Sequence, residues 1–251
     1  MFFDSHAHYD DDAFDADRDE LLSSLPQNNV SNIINIGADM PSSRRSVQLA
    51  EKYEFIYAAV GVHPHDAKNY TSDDEAELAK LCAHPRVVAI GEIGLDYHYD
   101  NSPRDIQKEV FKKQLELAKK LRMPVIIHSR EATEDTLSIL KEFSPRGVVH
   151  CFSGSVETAK TVLDMGMYIS LGGPVTYKNA VKTVEVAEFV PIDRLLIETD
   201  CPYLAPVPYR GKRNSSLFIH ATAEKIADIK GISVEELARI TAENTKKLFN
   251  I

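Results

Sequence analysis

The sequence predicts an α/β fold of the (β/α)₈ TIM-barrel type, with residues 1–251 as one domain. Three observations lead there. Eight short apolar runs alternate with amphipathic helical stretches along the chain. Most of these runs end in a histidine, a carboxylate or a glycine. A doubly wound sheet, the other architecture that such alternation permits, usually carries a glycine-rich phosphate loop after its first strand. Here the first run leads into His6-Ala7-His8 instead. A length of 251 residues is also typical of a barrel of this kind.

The runs are MFFDSHAH (1–8), SNIINIG (31–37), FIYAAVGVH (55–63), RVVAIGEIG (86–94), MPVIIHSR (123–130), GVVHCFSG (147–154), GMYISLGG (166–173) and RLLIETD (194–200). They are rich in β-branched residues and apolar at both odd and even positions, as strands covered on both faces must be. The intervening segments carry helix-start signals. Thr71-Ser72 precedes DDEAELAKL, a capping hydroxyl before an acidic first turn. Ser102-Pro103 precedes RDIQKEVFKKQLELAKKL, with proline expected at the first helical position. Ser233 with Glu236 reads as a capping box opening the last helix.

Composition narrows the function. Hydrophobic residues make up 43% of the chain and charged residues 27%, an ordinary globular balance. No apolar run approaches the roughly 18 residues a membrane span needs, and the first residues lack a basic-then-apolar leader. The three cysteines, Cys82, Cys151 and Cys201, show no CxxC spacing. An odd count without a leader points to reduced thiols in a cytoplasmic protein. The net charge of -9 excludes a broad basic face for coating nucleic acid, so any polyanionic substrate has to be held locally.

Aligned at their C-terminal ends, the runs present His6 and His8, Gly37, His63 and His65, Glu92, His128 and Arg130, His150, Gly172 and Asp200. Parallel barrel strands all end on one rim, where barrel active sites are built. His6 and His8 share strand parity, so both imidazoles can reach one ion. Glu92 stands in the apolar stretch AIGEIGL, where an unpaired carboxylate is costly. Taken singly, each residue has a structural explanation: a capping turn, a core histidine, a helix cap. Their recurrence at the same end of successive strands favours a shared site. Imidazoles mixed with carboxylates suit zinc-like or manganese-like ions.

The segments DSHAHYD (4–10), GVHPH (61–65), GEIGLDYHYD (91–100), PVIIHSR (124–130), HCFSG (150–154), ETDCPYLAP (198–206) and RGKRN (210–214) together resemble the TatD family of metal-dependent deoxyribonucleases, within the amidohydrolase-like barrels. The resemblance covers essentially the full length, in order. It implies two divalent ions (Mg²⁺, Mn²⁺ or Zn²⁺), one held by His6, His8 and Asp200 and the other by His128 and His150, with Glu92 bridging. It implies DNA as substrate, with hydrolysis of phosphodiester bonds; the lack of a long basic groove for duplex points to exonucleolytic action on exposed or single-stranded ends. Many members continue the RGKRN segment with Glu-Pro, whereas this chain has Ser215-Ser216, a change expected in a loop that touches substrate.

For the chemistry, Asp200 is the expected general base, with Glu92 holding the metal pair and His63 contacting a phosphate oxygen or protonating the leaving group. Arg130, Arg210, Lys212 and Arg213 are the expected substrate cations, guanidinium forks being matched to phosphate. Tyr97, Tyr203 and Tyr209 are candidates for base stacking. Cys151 and Cys201, on the opposite parity to the ligands, read as small buried residues and not nucleophiles. The alternative activity is that of a small-molecule amidohydrolase or phosphoesterase on the same dinuclear site. A non-catalytic binding protein is the remaining class, disfavoured because a structural metal site is closed and carries no adjacent base.

Overall fold

A computed structural model describes residues 1–251. The eight runs form parallel strands β1 (Phe2–Ala7), β2 (Val30–Ile36), β3 (Ile56–Val60), β4 (Val87–Asp96), β5 (Val125–Arg130), β6 (Gly147–Val149), β7 (Tyr168–Leu171) and β8 (Leu195–Ile197). They lie side by side in chain order in one sheet. Just beyond β8 the chain returns to β1: Asp200 N–H donates to His6 O at 2.9 Å and His8 N–H to Cys201 O at 2.8 Å, closing the barrel.

The helices are α1 (Arg18–Ser24), α2 (Met40–Lys52), α3 (Ser72–Leu81), α4 (Arg104–Leu121), α5 (Thr133–Phe143), α6 (Val156–Asp164), α7 (Val181–Phe189), α8 (Ile219–Lys230) and α9 (Val234–Phe249). The Thr71 start of α3 is a reciprocal capping box with Asp74. Two other start signals behave differently. Pro103 is the N-cap of α4 and not its first helical residue. Ser102 turns inward, donating to His65 O at 2.8 Å and accepting from Lys68 N–H, so its hydroxyl ties two loops together and does not cap the helix. Ser233 accepts from Glu236 N–H at 3.1 Å, which makes the cap one-sided.

Strand parity sorts the core into two clusters. One contains Phe3, Ile34, Ile36, Ala59, Ala89, Ile126, Val148 and Leu196, together with Leu248 and Phe249 from the end of α9. The larger cluster packs the opposite strand faces against the helices. Burial of this extent supplies the main stabilisation and makes the strand ends a rigid mounting for side chains. Glycine matters most beside Glu92. Gly94 has φ +146°, and a Cβ there would sit 2.0 Å from His128 O, so only glycine lets β4 pass β5 at the site.

Candidate metal centre

β4 runs two residues past its predicted end and β5 ends where predicted, whereas the other six strands end one to five residues early; His6, Glu92 and His128 lie within strands. His8 and His150 stand on the first residue beyond their strands, and His63 and Asp200 on the third. Loop backbone still fixes Asp200. It takes a left-handed φ of 55°, which aspartate tolerates, and Tyr203 N–H donates to its carbonyl at 2.9 Å.

The side chains converge on two points either side of one carboxylate. On the first side, the His6 and His8 Nε2 atoms are 3.1 Å apart. Glu92 Oε2 lies 3.5 Å and 3.8 Å from them, and Asp200 Oδ1 3.7 Å and 3.4 Å. On the second side, Glu92 Oε1 lies 2.7 Å from both His128 Nδ1 and His150 Nε2, which are themselves 3.3 Å apart. His63 Nε2 stands 3.6 Å from the same oxygen. Glu92 therefore turns one oxygen to each histidine pair.

The rings are held from behind. His8 Nδ1 bonds Ile36 O at 3.0 Å, His128 Nε2 bonds Asp96 Oδ2 at 3.0 Å, and His150 Nδ1 bonds Glu198 Oε1 at 3.3 Å. Such outer partners fix which nitrogen faces inward and raise its basicity. Asp96 is anchored in turn, accepting from His98 N–H at 3.0 Å and Tyr99 N–H at 2.9 Å. His65 Nε2 also lies 3.2 Å from Asp96 Oδ2. His6 Nδ1 is buried without a partner.

The electrostatics follow from this crowding. Burial raises the Glu92 carboxyl, but His150, His63 and His128 outweigh it and hold the group well below the usual carboxylate range. Asp200 is likewise lowered against its own burial, by His8, His6 and His150. Burial and the neighbouring His128 push His63 well below the ordinary imidazole value. Its Nδ1 accepts from His65 N–H at 3.2 Å, which leaves Nε2–H as a donor facing the cleft. Four imidazoles and two ionised carboxylates around two points suit divalent cations of the zinc or manganese type.

The whole chain, residues 3–250, matches the family model described as TatD related DNase. The chain belongs to the TatD family. It is a metal-dependent hydrolase on a TIM barrel. Its relatives include the uncharacterized metal-dependent hydrolase YabD of Bacillus subtilis, 50% identical over the full length of both chains. Another is the 3'-5' ssDNA/RNA exonuclease TatD of Pantoea ananatis, 34% identical over 95% of each chain. Among solved structures, the TatD homolog YJJV of Escherichia coli superposes with a TM-score of 0.94 at 33% identity, covering 100% of this chain and 98% of that one.

A cleft of about 930 Å³ opens over the centre of this TatD hydrolase. His63 and Arg130 line it, Arg130 resting 4.8 Å over the Tyr99 ring. Arg210, Lys212 and Arg213 do not. Arg213, read from sequence as a substrate cation, is a structural residue: it forms a two-pronged ion pair with Asp17 and donates to Ala13 O at 2.7 Å. Arg210 lies over Tyr177 at 4.5 Å. The segment Asn214-Ser215-Ser216 is buried and does not form a substrate loop. Ser216 bonds Asp4 at 2.6 Å and Tyr9, while Asn214 donates to Thr199 O and Tyr203 O.

Of the three tyrosines expected to stack bases, only Tyr203 is exposed at the cleft. Tyr97 is tied to Asp135 and Tyr209 stacks on Phe218. The other exposed cleft aromatic is Tyr99, which the sequence reading passed over. Cys201 is fully buried, as expected, whereas Cys151 is only partly buried and lines the cleft. Burial and the nearby Asp200 and Glu198 carboxylates keep its thiol protonated, which still argues against a nucleophile.

Sequence reasoning also missed Asp96, Glu198 and Arg45. The first two carried a readable signal: Asp96 shares strand parity with Glu92, and Glu198 interrupts the apolar run LLIETD. Arg45 lines the cleft from the exposed face of α2 and carried none.

Asp96→Asn tests the outer layer. Loss of the anion behind His128 is expected to weaken divalent-ion affinity about 10- to 100-fold while leaving the fold intact. Calorimetric titration with Mn²⁺ measures this; unchanged affinity would make Asp96 a loop anchor only.

Proposed function

We propose that this chain is a cytoplasmic deoxyribonuclease that hydrolyses phosphodiester bonds of DNA at exposed single-stranded ends, using two divalent ions. The observation that carries the reading is the division of Glu92, with Oε2 toward His6 and His8 and Oε1 toward His128 and His150. In this reading His6, His8 and Asp200 hold one ion, His128 and His150 the other, and Glu92 both. When bound, such a pair supplies Lewis acidity toward a phosphoryl oxygen and brings the pKa of water toward neutrality.

The chain's own residues do the rest. Asp200 is kept ionised by its histidine neighbours and serves as proton acceptor for the attacking water. His63 Nε2–H donates to a phosphate oxygen, the role its tautomer favours over protonating the leaving group. Arg130 and Arg45 supply positive charge along the cleft, and Tyr99 and Tyr203 offer exposed rings to unstacked bases. Support for a nucleic-acid substrate comes from the family and from the exonuclease relative in Pantoea ananatis.

One feature favours a second reading, hydrolysis of a small ester or amide: the cleft also carries Asp10, Asp11, Asp12 and Asp39, which repel a polyanion. The deciding experiment offers labelled single- and double-stranded DNA with Mg²⁺, Mn²⁺ or Zn²⁺, beside an ester and amide panel. Metal-dependent cleavage of single strands is expected. Robust ester or amide turnover with no DNA cleavage would transfer the assignment to the second reading.

Sparse cations also predict a shallow salt dependence. With about two phosphate contacts, from the cleft residues Arg45 and Arg130, log K for a short single strand should fall with log salt at a slope of about -1.4. Titration against a cleavage-dead variant with its metals intact measures it. A slope steeper than about -5 would require an extensive basic track that the surface lacks.

A further inference from the structure

A second cavity, of about 310 Å³, lies between α5 and α6 where these helices leave the rim. It adjoins the metal centre: Ser129, Phe152 and Ser153 line both it and the main cleft. Ser129 lies on the strand face opposite His128 and turns its hydroxyl to Thr136 of α5, so the cavity opens beside the main cleft behind β5.

Its lining has a definite chemistry. Leu137, Leu140, Val149, Phe152 and Val162 back it with apolar side chains, of which Leu137 is half-buried and the others are buried. Six hydroxyl residues interrupt that surface, Thr133 and Ser153 and two pairs, Ser129 with Thr136 at 3.0 Å and Ser155, the cap of α6, with Thr158 at 3.4 Å. In each pair either oxygen can donate, so a lone pair or a proton can be turned to a ligand edge. Only Lys182 and Glu131 are charged, and their opposite signs leave no net attraction for an anion. A phosphate has no partner here that the main cleft does not offer better. A neutral, flat group with a polar edge does, and the volume is at the small end of the ligand-site range, room for one such ring system.

We infer that this cavity is a nucleobase subsite, receiving the base of a nucleotide flanking the scissile phosphate while the metal centre holds the phosphate itself. The inference rests on the nuclease reading and specifies how the substrate is gripped. Reversible hydroxyl pairs and an apolar surface accept any base, so the subsite adds affinity without strong base choice. Binding energy for an acidic protein's polyanionic substrate then comes from a neutral part of that substrate.

The test compares a short thymidine oligonucleotide with versions in which single residues near the scissile bond carry tetrahydrofuran in place of the base. It uses the metal-loaded wild type and two variants, Leu137→Trp, which fills the cavity, and Thr133→Trp, which obstructs its mouth from an exposed position. In the wild type, removing one particular base should raise KM about tenfold, in the range of a single stacking contact, with kcat little altered. In both variants the ratio of the two KM values should fall to near one. Cleavage by the wild type with no dependence on any single base would overturn the subsite alone. So would a base dependence that survives both tryptophans. Failure of the wild type to cleave any of the oligonucleotides would overturn the nuclease reading, and the subsite with it.

Discussion

Replacing Glu92 by alanine is expected to cost the protein both its metal affinity and essentially all turnover. No other side chain presents an oxygen to each histidine pair. On the two-ion reading its removal would take one carboxylate oxygen from each ion, and it leaves His128 and His150 without the anion 2.7 Å away. Loss of a partner one shell further out already costs about 10- to 100-fold in affinity, and a shared inner carboxylate must exceed that for both ions. Binding isotherms for Mn²⁺ and metal content after dialysis measure the effect. A Glu92→Ala protein that keeps both ions at wild-type affinity would remove the bridge. The barrel should survive the change, because the residue closes the top of the core and does not fill it.

Asp200→Asn is the second large effect. The amide keeps the shape and one oxygen, but it accepts no proton and binds a cation weakly. A general base is worth roughly 10²- to 10⁴-fold in rate, so kcat should fall by at least about a hundredfold. Asp200 N–H donates to His6 O through the backbone, so the barrel closure is unaffected. Single-turnover cleavage at saturating metal separates the two losses. A fall below about tenfold with full metal occupancy would assign the proton to another group.

Much of this site is legible in the sequence for a physical reason. A parallel barrel delivers every strand end to one rim, so His6, His8, Glu92, His128, His150 and Asp200 can be collected without knowing the helix packing. What lies off the strands is less legible. Arg213 stands in a run of cations that looks like a phosphate site, yet Asp17, nearly 200 positions away in the chain, claims its fork. Ser215-Ser216 reads as a polar surface loop, but Asp4 is buried and needs hydroxyl donors, which draws the segment inward. Ser102 is a helix cap by its neighbours in sequence and a loop tie by its neighbours in space. Arg45 enters the cleft only because α2 packs beside the mouth of the barrel. In each case a long-range contact outweighs a local signal.

The most direct measurement is the anomalous scattering from crystals of the protein grown with Mn²⁺. Two peaks about 3.5–4 Å apart are expected, one beside Glu92 Oε2 with His6, His8 and Asp200, the other beside Oε1 with His128 and His150. A single peak, or two peaks of which only one touches Glu92, would contradict the bridged pair on which the hydrolytic account depends.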